Sequence, residues 1–288
     1  MKTRTSLTLE EDILKEADKL VDNINFSSRS ELVEECIRRY LRDSETAVIL
    51  GGGDPEKLKI DGKFKFFIPV IGNLTLLDLL LEKLESFGKI YIVAQKEVID
   101  ACFEQYGEKS GNAEIIYIEE KKEMGNAKTL ELAKDKLGSR FLILPIDQYY
   151  ELDLSDLIRK HSVNSTIFKG IVTLVATPGS TDRKMGNISM SGNQIIDHVE
   201  GRDPKGKIMS AFAAVCDRKI FEYIPKGSVR WVLQEDVYPK LIKNGAMFGY
   251  ITEHPIFNIH SRKELLELKK YLEEKTTAKR QGSALKAK

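Results

Sequence analysis

The chain has 288 residues, of which 42% are hydrophobic and 31% are charged, and its formal net charge of +1 indicates no particular partner. Its three cysteines have no paired spacing, which excludes a disulfide framework and a zinc ribbon. No apolar run reaches the length of a membrane-spanning helix, so we expect a soluble, cytoplasmic protein.

Residues 1–9 alternate between polar and partly apolar positions, which is the period of a β-strand. Thr8 with Glu11 forms a capping box that predicts the start of a helix. Ser28 with Glu31 forms a second capping box and predicts a second helix, and each helix has one apolar stripe. One strand and two short helices cannot bury their apolar faces alone, so a partner chain is expected.

This strand–helix–helix order over residues 2–42 resembles the ribbon-helix-helix family of DNA-binding proteins. In that family two chains pair their strands into an antiparallel ribbon, which lies in the major groove. The resemblance therefore implies a homodimer that binds a double-stranded DNA operator. It implies base contacts from three strand residues and a phosphate site at the start of the second helix. These residues are, respectively, Arg4, Ser6 and Thr8, and Ser28, Arg29 and Ser30.

The alternative is a module that dimerises without binding DNA. Residues 1–43 contain 8 basic and 10 acidic side chains, a net charge of −2, which does not attract phosphate nonspecifically. Lys2, Arg4 and Arg29 nevertheless lie on the side of the module that is expected to face DNA. The sequence leaves both interpretations open.

From Thr46 onward, strand-like and helical patterns alternate, which predicts an α/β domain of Rossmann-like type with a mainly parallel, mixed sheet. The strand-like runs are 47–50, 89–94, 114–118, 141–146, 170–176 and 247–251. The helical patterns are 75–87, 96–106, 126–136, 154–161 and 236–243. We expect domains at 1–44 and 45–274, followed by a basic, disordered tail at 275–288.

Three glycines, Gly51, Gly52 and Gly53, follow the first buried strand. Backbone amides without side chains can approach a ligand closely, and such loops at the carboxyl ends of parallel strands commonly hold phosphate. The alternative is a tight turn that binds nothing. Asp147 after the fourth strand and Gly125 at a helix start are expected at the same sheet edge.

The order of several short motifs resembles the sugar-1-phosphate nucleotidyltransferases, also called nucleotide-sugar pyrophosphorylases. Their opening G-G-x-G-T-R-L corresponds to Gly52-Gly53-Asp54-Pro55-Glu56-Lys57-Leu58, and their P-K-P-L-x-P-V to residues 65–70. The other matches are Gly125-Asn126-Ala127, Leu144-Pro145-Ile146-Asp147, Met185-Gly186-Asn187-Ile188, Val199-Glu200, Glu235-Asp236-Val237-Tyr238-Pro239 and Asn258-Ile259-His260-Ser261. They run in order over residues 47–266.

The resemblance implies that a sugar 1-phosphate attacks the α-phosphorus of a nucleoside triphosphate and that pyrophosphate leaves. Such chemistry depends on positioning and charge neutralisation. The implied catalytic residues are Lys57, Lys65 and Asp147, and the implied Mg²⁺ ligands are Asp147 and Asn258. The implied nucleotide-binding residues are Gly51, Gly52, Gly53, Gly125 and Asn126, and the implied sugar-binding residues are Gly186 and Glu200.

Glu120 could accept hydrogen bonds from the Watson–Crick edge of guanine, as guanine-using relatives have a glutamate near this position. The alternative is a pair of exposed acids, Glu119 and Glu120, at a strand end.

The sequence also departs from the family pattern at Pro55, Glu56, Lys57, Gly201 and Asn258. These departures keep a second hypothesis open: a transcriptional regulator whose degenerate nucleotidyltransferase domain senses a nucleotide or nucleotide sugar.

Overall fold

The computed structural model describes residues 5–22, 26–178, 186–199 and 208–286, and for residues 38–44 and 278–286 it describes the backbone alone. The chain divides into two compact units, Met1–Ser44 and Glu45–Lys288. The division falls where the sequence pattern changes from short helices to alternating strands and helices. Among the described residues, no helix is long and apolar enough to cross a membrane.

The first unit contains two helices, α1 (Glu11–Leu20) and α2 (Arg29–Ser44). The strand predicted before them is not formed, because residues 5–10 are exposed and have no regular structure. A ribbon strand takes its hydrogen bonds from the strand of a second chain, and a single chain cannot supply them. Within one chain the unit is therefore a helix pair rather than a β-α-α module. Ser6 and Thr8 lie on the irregular segment, and Arg4 lies outside the described residues.

The second predicted capping box forms in part. Ser28 accepts a hydrogen bond from the backbone N–H of Glu31 at 3.3 Å, and the Glu31 carboxylate accepts from the N–H of Ser27, one residue before the cap, at 2.8 Å. Helix α1 instead begins after Glu10, with no side-chain cap. Thr8 lies too far before the first helical residue to reach its backbone amides.

The described residues of the second unit form sixteen strands and six further helices. The strands are β1 (Thr46–Gly51), β2 (Lys59–Ile60), β3 (Lys63–Phe64), β4 (Pro69–Ile71), β5 (Leu74–Thr75), β6 (Lys89–Ala94), β7 (Lys109–Ser110), β8 (Ala113–Glu119), β9 (Arg140–Pro145), β10 (Gln148–Tyr150), β11 (Val172–Pro178), β12 (Gly186–Ser191), β13 (Gln194–Val199), β14 (Ile208–Asp217), β15 (Met247–Ile251) and β16 (Ile256–Asn258). The helices are α3 (Leu76–Lys83), α4 (Lys96–Tyr106), α5 (Asn126–Glu131), α6 (Leu154–Phe168), α7 (Tyr238–Lys243) and α8 (Arg262–Lys286).

Ten strands form one sheet in the order β11-β15-β13-β12-β14-β9-β1-β6-β8-β7. At its centre, β9, β1, β6 and β8 are parallel, whereas β14 is antiparallel to β9. The α/β class and the mixed sheet are thus confirmed, but the sheet is not mainly parallel, because only four of its ten described strand pairings are parallel. Each predicted strand and helix of this unit is present, and most ends shift by four residues or fewer. Helix α6 extends seven residues beyond its predicted end, and α5 ends five residues before its predicted end. The pattern predicted none of the strands between residues 186 and 217.

The central strand β1 is buried from both faces of the sheet. Ala47 and Ile49 belong to one apolar cluster, and Val48 and Leu50 belong to the other. Successive side chains of a strand point to opposite faces, so this division follows directly from the strand period. Helices α3, α4, α6 and α8 contribute to the first cluster, and α5 and α7 to the second. The strand that carries the glycine loop is therefore fixed from both sides.

Residues 275–286 of the tail predicted to be disordered at 275–288 continue helix α8. Leu265, Leu268 and Leu272 recur at helical spacing and are buried in the first cluster. The backbone remains helical to Lys286. Propagating an existing helix is far easier than nucleating one, so a helix anchored by its first turns can extend through a polar segment.

Glu151, which follows β10, attaches α8 to the rest of the unit. Its carboxylate accepts hydrogen bonds from the Tyr271 hydroxyl at 2.5 Å and from the Lys275 ammonium. Burial opposes ionisation of this carboxyl, but the bonds from Lys275 and Tyr271 outweigh it and lower the pKa of Glu151. A lowered pKa stabilises the folded state above the unfolded-state pKa, and the stabilisation is lost as the pH falls through the folded-state pKa.

We therefore expect Glu151→Gln to lower the free energy of unfolding by about 1 kcal/mol near neutral pH. The difference from the unsubstituted protein should shrink as the pH falls below the ordinary glutamate value of 4.5. Urea unfolding at a series of pH values measures it. Glu267→Gln is the control, because Glu267 is exposed and lies 3.8 Å from its lysine partner. A difference that stays constant at acid pH contradicts the assignment.

Candidate active site

The carboxyl ends of the central parallel strands bring the predicted site segments to one edge of the sheet. The glycine loop follows β1, Glu120 follows β8 and Asp147 follows β9. The strand ends adjoin, because the Ile146 N–H donates to the Leu50 carbonyl at 3.0 Å. Ligands of open α/β sheets bind at this edge. The predicted proximity of the glycine loop and Asp147 is confirmed, and Glu120 lies at the same edge.

The glycine loop lies against its own chain so closely that side chains do not fit. A Cβ on Gly52 would lie 2.6 Å from the Glu120 Oε2 and 2.6 Å from the Thr129 Cγ2. Gly53 has a φ of +88°, which side chains disfavour, and its N–H donates to the Glu120 Oε2 at 2.7 Å. The loop thus has a defined conformation held by a carboxylate.

Glu120 is buried, with 3% of its surface exposed, rather than being an exposed acid at a strand end. Its second oxygen, Oε1, accepts from the Thr129 hydroxyl at 2.5 Å, and its backbone N–H donates to the Ala94 carbonyl at 2.7 Å. Both carboxylate oxygens therefore accept hydrogen bonds from the protein. In this structure Glu120 connects the glycine loop to α5, a role that the sequence did not indicate.

Gly125 and Asn126 hold a distant segment on the start of α5. A Cβ on Gly125 would lie 2.4 Å from the Trp231 carbonyl oxygen, and its φ is +87°. The Asn126 Oδ1 accepts from the Leu233 N–H at 2.8 Å, and its Nδ2 donates to the Gln234 Oε1 at 2.9 Å. These contacts use both ends of the Asn126 carboxamide. A nucleotide contact by these two residues stays a prediction.

Lys65 and Asp147, both predicted as catalytic, form an ion pair. The Lys65 Nζ lies 2.7 Å from the Asp147 Oδ2, and the exposed fractions of the two side chains are 2% and 18%. Lys65 begins a short 3₁₀ helix, Lys65–Phe67, and the buried Phe66 anchors it. A buried ammonium is stable only beside an opposite charge, so the pair is mutually required.

Asn258, the second predicted metal ligand, lies on a strand next to Asp147. Gln148 faces Asn258 in the β10–β16 pair, and the Ile259 N–H donates to the Asp147 carbonyl at 3.1 Å. The Asn258 Nδ2 lies 2.6 Å from the His260 Nε2. Over the described ranges, no group of three His, Cys, Asp or Glu side chains could hold a metal ion. One carboxylate and one carboxamide fit Mg²⁺ if phosphate and water supply its other ligands.

Lys57 is exposed on a 3₁₀ helix, Pro55–Leu58, and forms no ion pair with the described residues. Its neighbour Glu56, a departure from the family pattern, pairs with the Lys59 Nζ at 2.6 Å. The Glu97 carboxylate lies 2.7 Å from the same ammonium. The negative charge of Glu56 is therefore compensated locally, and the Lys57 ammonium remains available for an anion.

Gly186, predicted to bind the sugar, is buried at the start of β12 and faces Ser210 of β14. The pairing of β14 with β9 covers Ala214–Asp217, and β14 has an irregular register between Ala214 and Ser210. A sugar contact by Gly186 therefore stays a prediction. Glu200, the other predicted sugar ligand, lies outside the described residues.

A half-buried histidine lies beside Ser210. The His198 Nε2 is 3.1 Å from the Ser210 Oγ, and its ring meets the Tyr238 ring edge-on with centroids 5.5 Å apart. Burial lowers the pKa of His198 to about 4, so the ring is neutral near neutral pH. A neutral imidazole packed against Tyr238 favours a structural role for His198.

Two of the predicted DNA-contact residues of the first unit, Ser28 and Arg29, have partners within that unit. The Arg29 guanidinium binds the Asp18 carboxylate at 2.5 and 2.7 Å, which joins α2 to α1. Ser28 caps α2, and Ser30 is exposed on its first turn. The charge of Arg29 is therefore compensated within the unit.

A family model described as Nucleotidyl transferase matches residues 46–228. No curated protein sequence matches the chain at the significance applied.

Several solved structures share the fold of the second unit. One is a candidate glucose-1-phosphate thymidylyltransferase from Bacillus anthracis, with a TM-score of 0.69, 20% identity, and coverage of 79% of this chain and 94% of that one. Another is HddC from Yersinia pseudotuberculosis complexed with GMP-PN, with a TM-score of 0.64, 16% identity, and coverage of 79% and 99%. A third is the inositol-1-phosphate CTP transferase from T. maritima, with a TM-score of 0.61, 16% identity, and coverage of 80% and 96%.

Proposed function

Because the chain belongs to the nucleotidyl transferase family, we propose that its second unit is a sugar-1-phosphate nucleotidyltransferase. A sugar 1-phosphate oxygen attacks the α-phosphorus of a nucleoside triphosphate, a new P–O bond forms, and pyrophosphate leaves. The observation that carries this proposal is the buried Lys65–Asp147 ion pair at the sheet edge beside the glycine loop.

Two lysines neutralise phosphate charge in this proposal. Lys65 is preorganised, since Asp147 fixes its ammonium before substrate arrives. Lys57 is exposed and reaches the triphosphate from the loop that follows Gly53. Phosphoryl transfer requires little covalent help, so positioned cations account for most of the catalysis.

Asp147 and Asn258 are the residues that would hold Mg²⁺, which supplies further neutralisation of phosphate charge when bound. The Asp147 Oδ1 can serve as a ligand while Oδ2 stays with Lys65.

The remaining site residues are assigned by resemblance and position. The glycine loop, Gly125 and Asn126 lie on the nucleotide side, with Glu120 between them. Gly186 permits close approach of the sugar, and Glu200 accepts hydrogen bonds from its hydroxyl groups.

Pyrophosphate release tests the proposal. The purified protein is incubated with Mg²⁺, each nucleoside triphosphate and a series of sugar 1-phosphates. The similar structures make glucose 1-phosphate with dTTP, and GTP with other sugar phosphates, the first pairs to test. We expect release with at least one pair and its loss in Asp147→Asn. Release with no pair from a folded protein contradicts the proposal.

We also propose that the first unit dimerises the protein. Of its described side chains only Leu32 is buried, whereas its exposed apolar residues are Leu7, Leu9, Ile13, Leu20 and Ile37. A unit of this size with so small a core requires a partner, and a second copy of the chain supplies the complementary apolar face.

Ile13→Glu with Ile37→Glu is therefore expected to convert a dimer into a monomer, because both side chains are about half exposed and a charge there prevents apolar burial. Sedimentation equilibrium measures the mass. Ile196→Glu is the matched control, since Ile196 is exposed to the same extent on the second unit. If the double substitution leaves the measured mass unchanged, the proposal that the first unit dimerises the protein is contradicted.

DNA contact and regulation by a bound nucleotide stay predictions. Mobility shifts with a genomic fragment library, with and without nucleotide, test both.

A further inference from the structure

We propose that Glu120 is a specificity-determining residue of the nucleotide site. Its carboxylate accepts the hydrogen bond of the Gly53 amide, so this amide does not bind substrate phosphate. The phosphate groups then bind at Lys57 and Lys65 and not at the glycine loop. The inference rests on the proposed function only in taking the loop as part of a nucleotide site. It reverses the expectation that the loop amides cradle the triphosphate.

The Gly53 amide already has an anionic partner. Its N–H donates to the Glu120 Oε2 at 2.7 Å, the length of a charge-assisted hydrogen bond. Backbone amides in glycine loops bind anions through such bonds. The loop therefore does bind an anion, and that anion belongs to the protein.

The carboxylate cannot move away easily. Thr129 donates to its other oxygen at 2.5 Å, and Gly52 lies so close that a Cβ would be 2.6 Å from Glu120 Oε2. The residue is almost completely buried, and its own N–H is bonded to Ala94. To free the Gly53 amide, substrate would have to break its hydrogen bond to a buried carboxylate that Thr129 holds in place through the other oxygen.

The charge near the loop also opposes phosphate. A phosphate on the Gly53 amide would lie in contact with the Glu120 carboxylate, and like charges at such a distance repel strongly inside a protein. Glu123 adds a second carboxylate, whose Oε1 lies 3.8 Å from the Cβ position of Gly53. We therefore assign the loop to the uncharged nucleoside part of the substrate.

Inorganic tripolyphosphate is the probe, because it carries the phosphate charges without a nucleoside. Its affinity is measured by titration calorimetry on the full chain. We expect Glu120→Gln, which keeps the shape of the side chain, to bind tripolyphosphate about 10-fold more tightly than the unsubstituted protein. Thr129→Val, which keeps the charge and removes one hydrogen bond, should bring no gain. Lys57→Ala should weaken binding about 10-fold.

A purely structural role for Glu120 makes the opposite prediction, since a loosened loop binds the probe equally or less tightly. Unchanged or weaker binding by Glu120→Gln, or an equal gain in Thr129→Val, overturns the proposal. If Glu120→Gln does not fold, Glu123→Gln decides, because Glu123 is exposed. It should gain about 3-fold in affinity, and no gain overturns the proposal. Pyrophosphate release is a separate assay, so a failure of the proposed function is distinguishable from a failure here.

Discussion

Replacing Lys65 with alanine is expected to lower kcat/KM for pyrophosphate release about 10³-fold. The ammonium is positioned by Asp147 at 2.7 Å and is almost completely buried, so water cannot replace it as a charge of fixed position. A charge that stabilises the transition state from a preorganised site contributes more than the same charge in solvent. The substitution also leaves Asp147 without its partner, which lowers stability by roughly 3 kcal/mol.

Lys128→Ala separates these two effects. Lys128 is 3% exposed and pairs with Glu131 at 2.8 Å, so it matches Lys65 in burial and pairing. We expect a similar loss of stability but an unchanged rate per folded molecule. Steady-state kinetics below the unfolding temperature measure the rate, and thermal unfolding measures the stability. An equal loss of rate in both variants indicates that Lys65 acts only through the fold.

Gly125→Ala is expected to destabilise the second unit by at least about 3 kcal/mol, because the new methyl group overlaps the Trp231 carbonyl and the backbone has a positive φ. Trp231 is main-chain bonded to this turn, so relief of the overlap displaces the segment that Asn126 holds. Hydrogen exchange of the Ala127 and Trp231 amides, both bonded across this contact, reports that displacement.

Gly72→Ala is the matched control for backbone strain. Gly72 has a φ of +53°, and a Cβ there meets nothing within 4 Å. We expect a cost of only about 1–2 kcal/mol. The difference between the two variants in urea unfolding measures the steric contact itself. Equal costs contradict the close approach of Trp231 to Gly125.

The central strands could be predicted because the pattern of apolar residues within each strand reflects the burial of that strand. The run 47–50 is apolar on both faces, and the structure buries it on both. The parallel arrangement then follows from the alternation with helices, and with it the position of Asp147 beside the glycine loop.

The partners of the site residues were not predictable in the same way. Glu120 and Thr129 meet the glycine loop across three strands, and no local pattern encodes which polar groups face one another there. Lys65 and Asp147 were predictable in part. The family resemblance implied that both belong to the site, but only the structure shows that they form an ion pair. Residues 5–10 are exposed and form no strand, so the alternation of polar and apolar positions there did not predict the structure.

The place of α8 in the core has a consequence for folding during synthesis. Leu265, Leu268 and Leu272 belong to the same apolar cluster as Ala47 and Ile49, although more than two hundred residues separate them along the chain. Contacts at such separation form late and make folding slow. While the ribosome is still translating the last helix, that face of the sheet is open and apolar, so the nascent second unit is exposed to aggregation until α8 emerges and covers it.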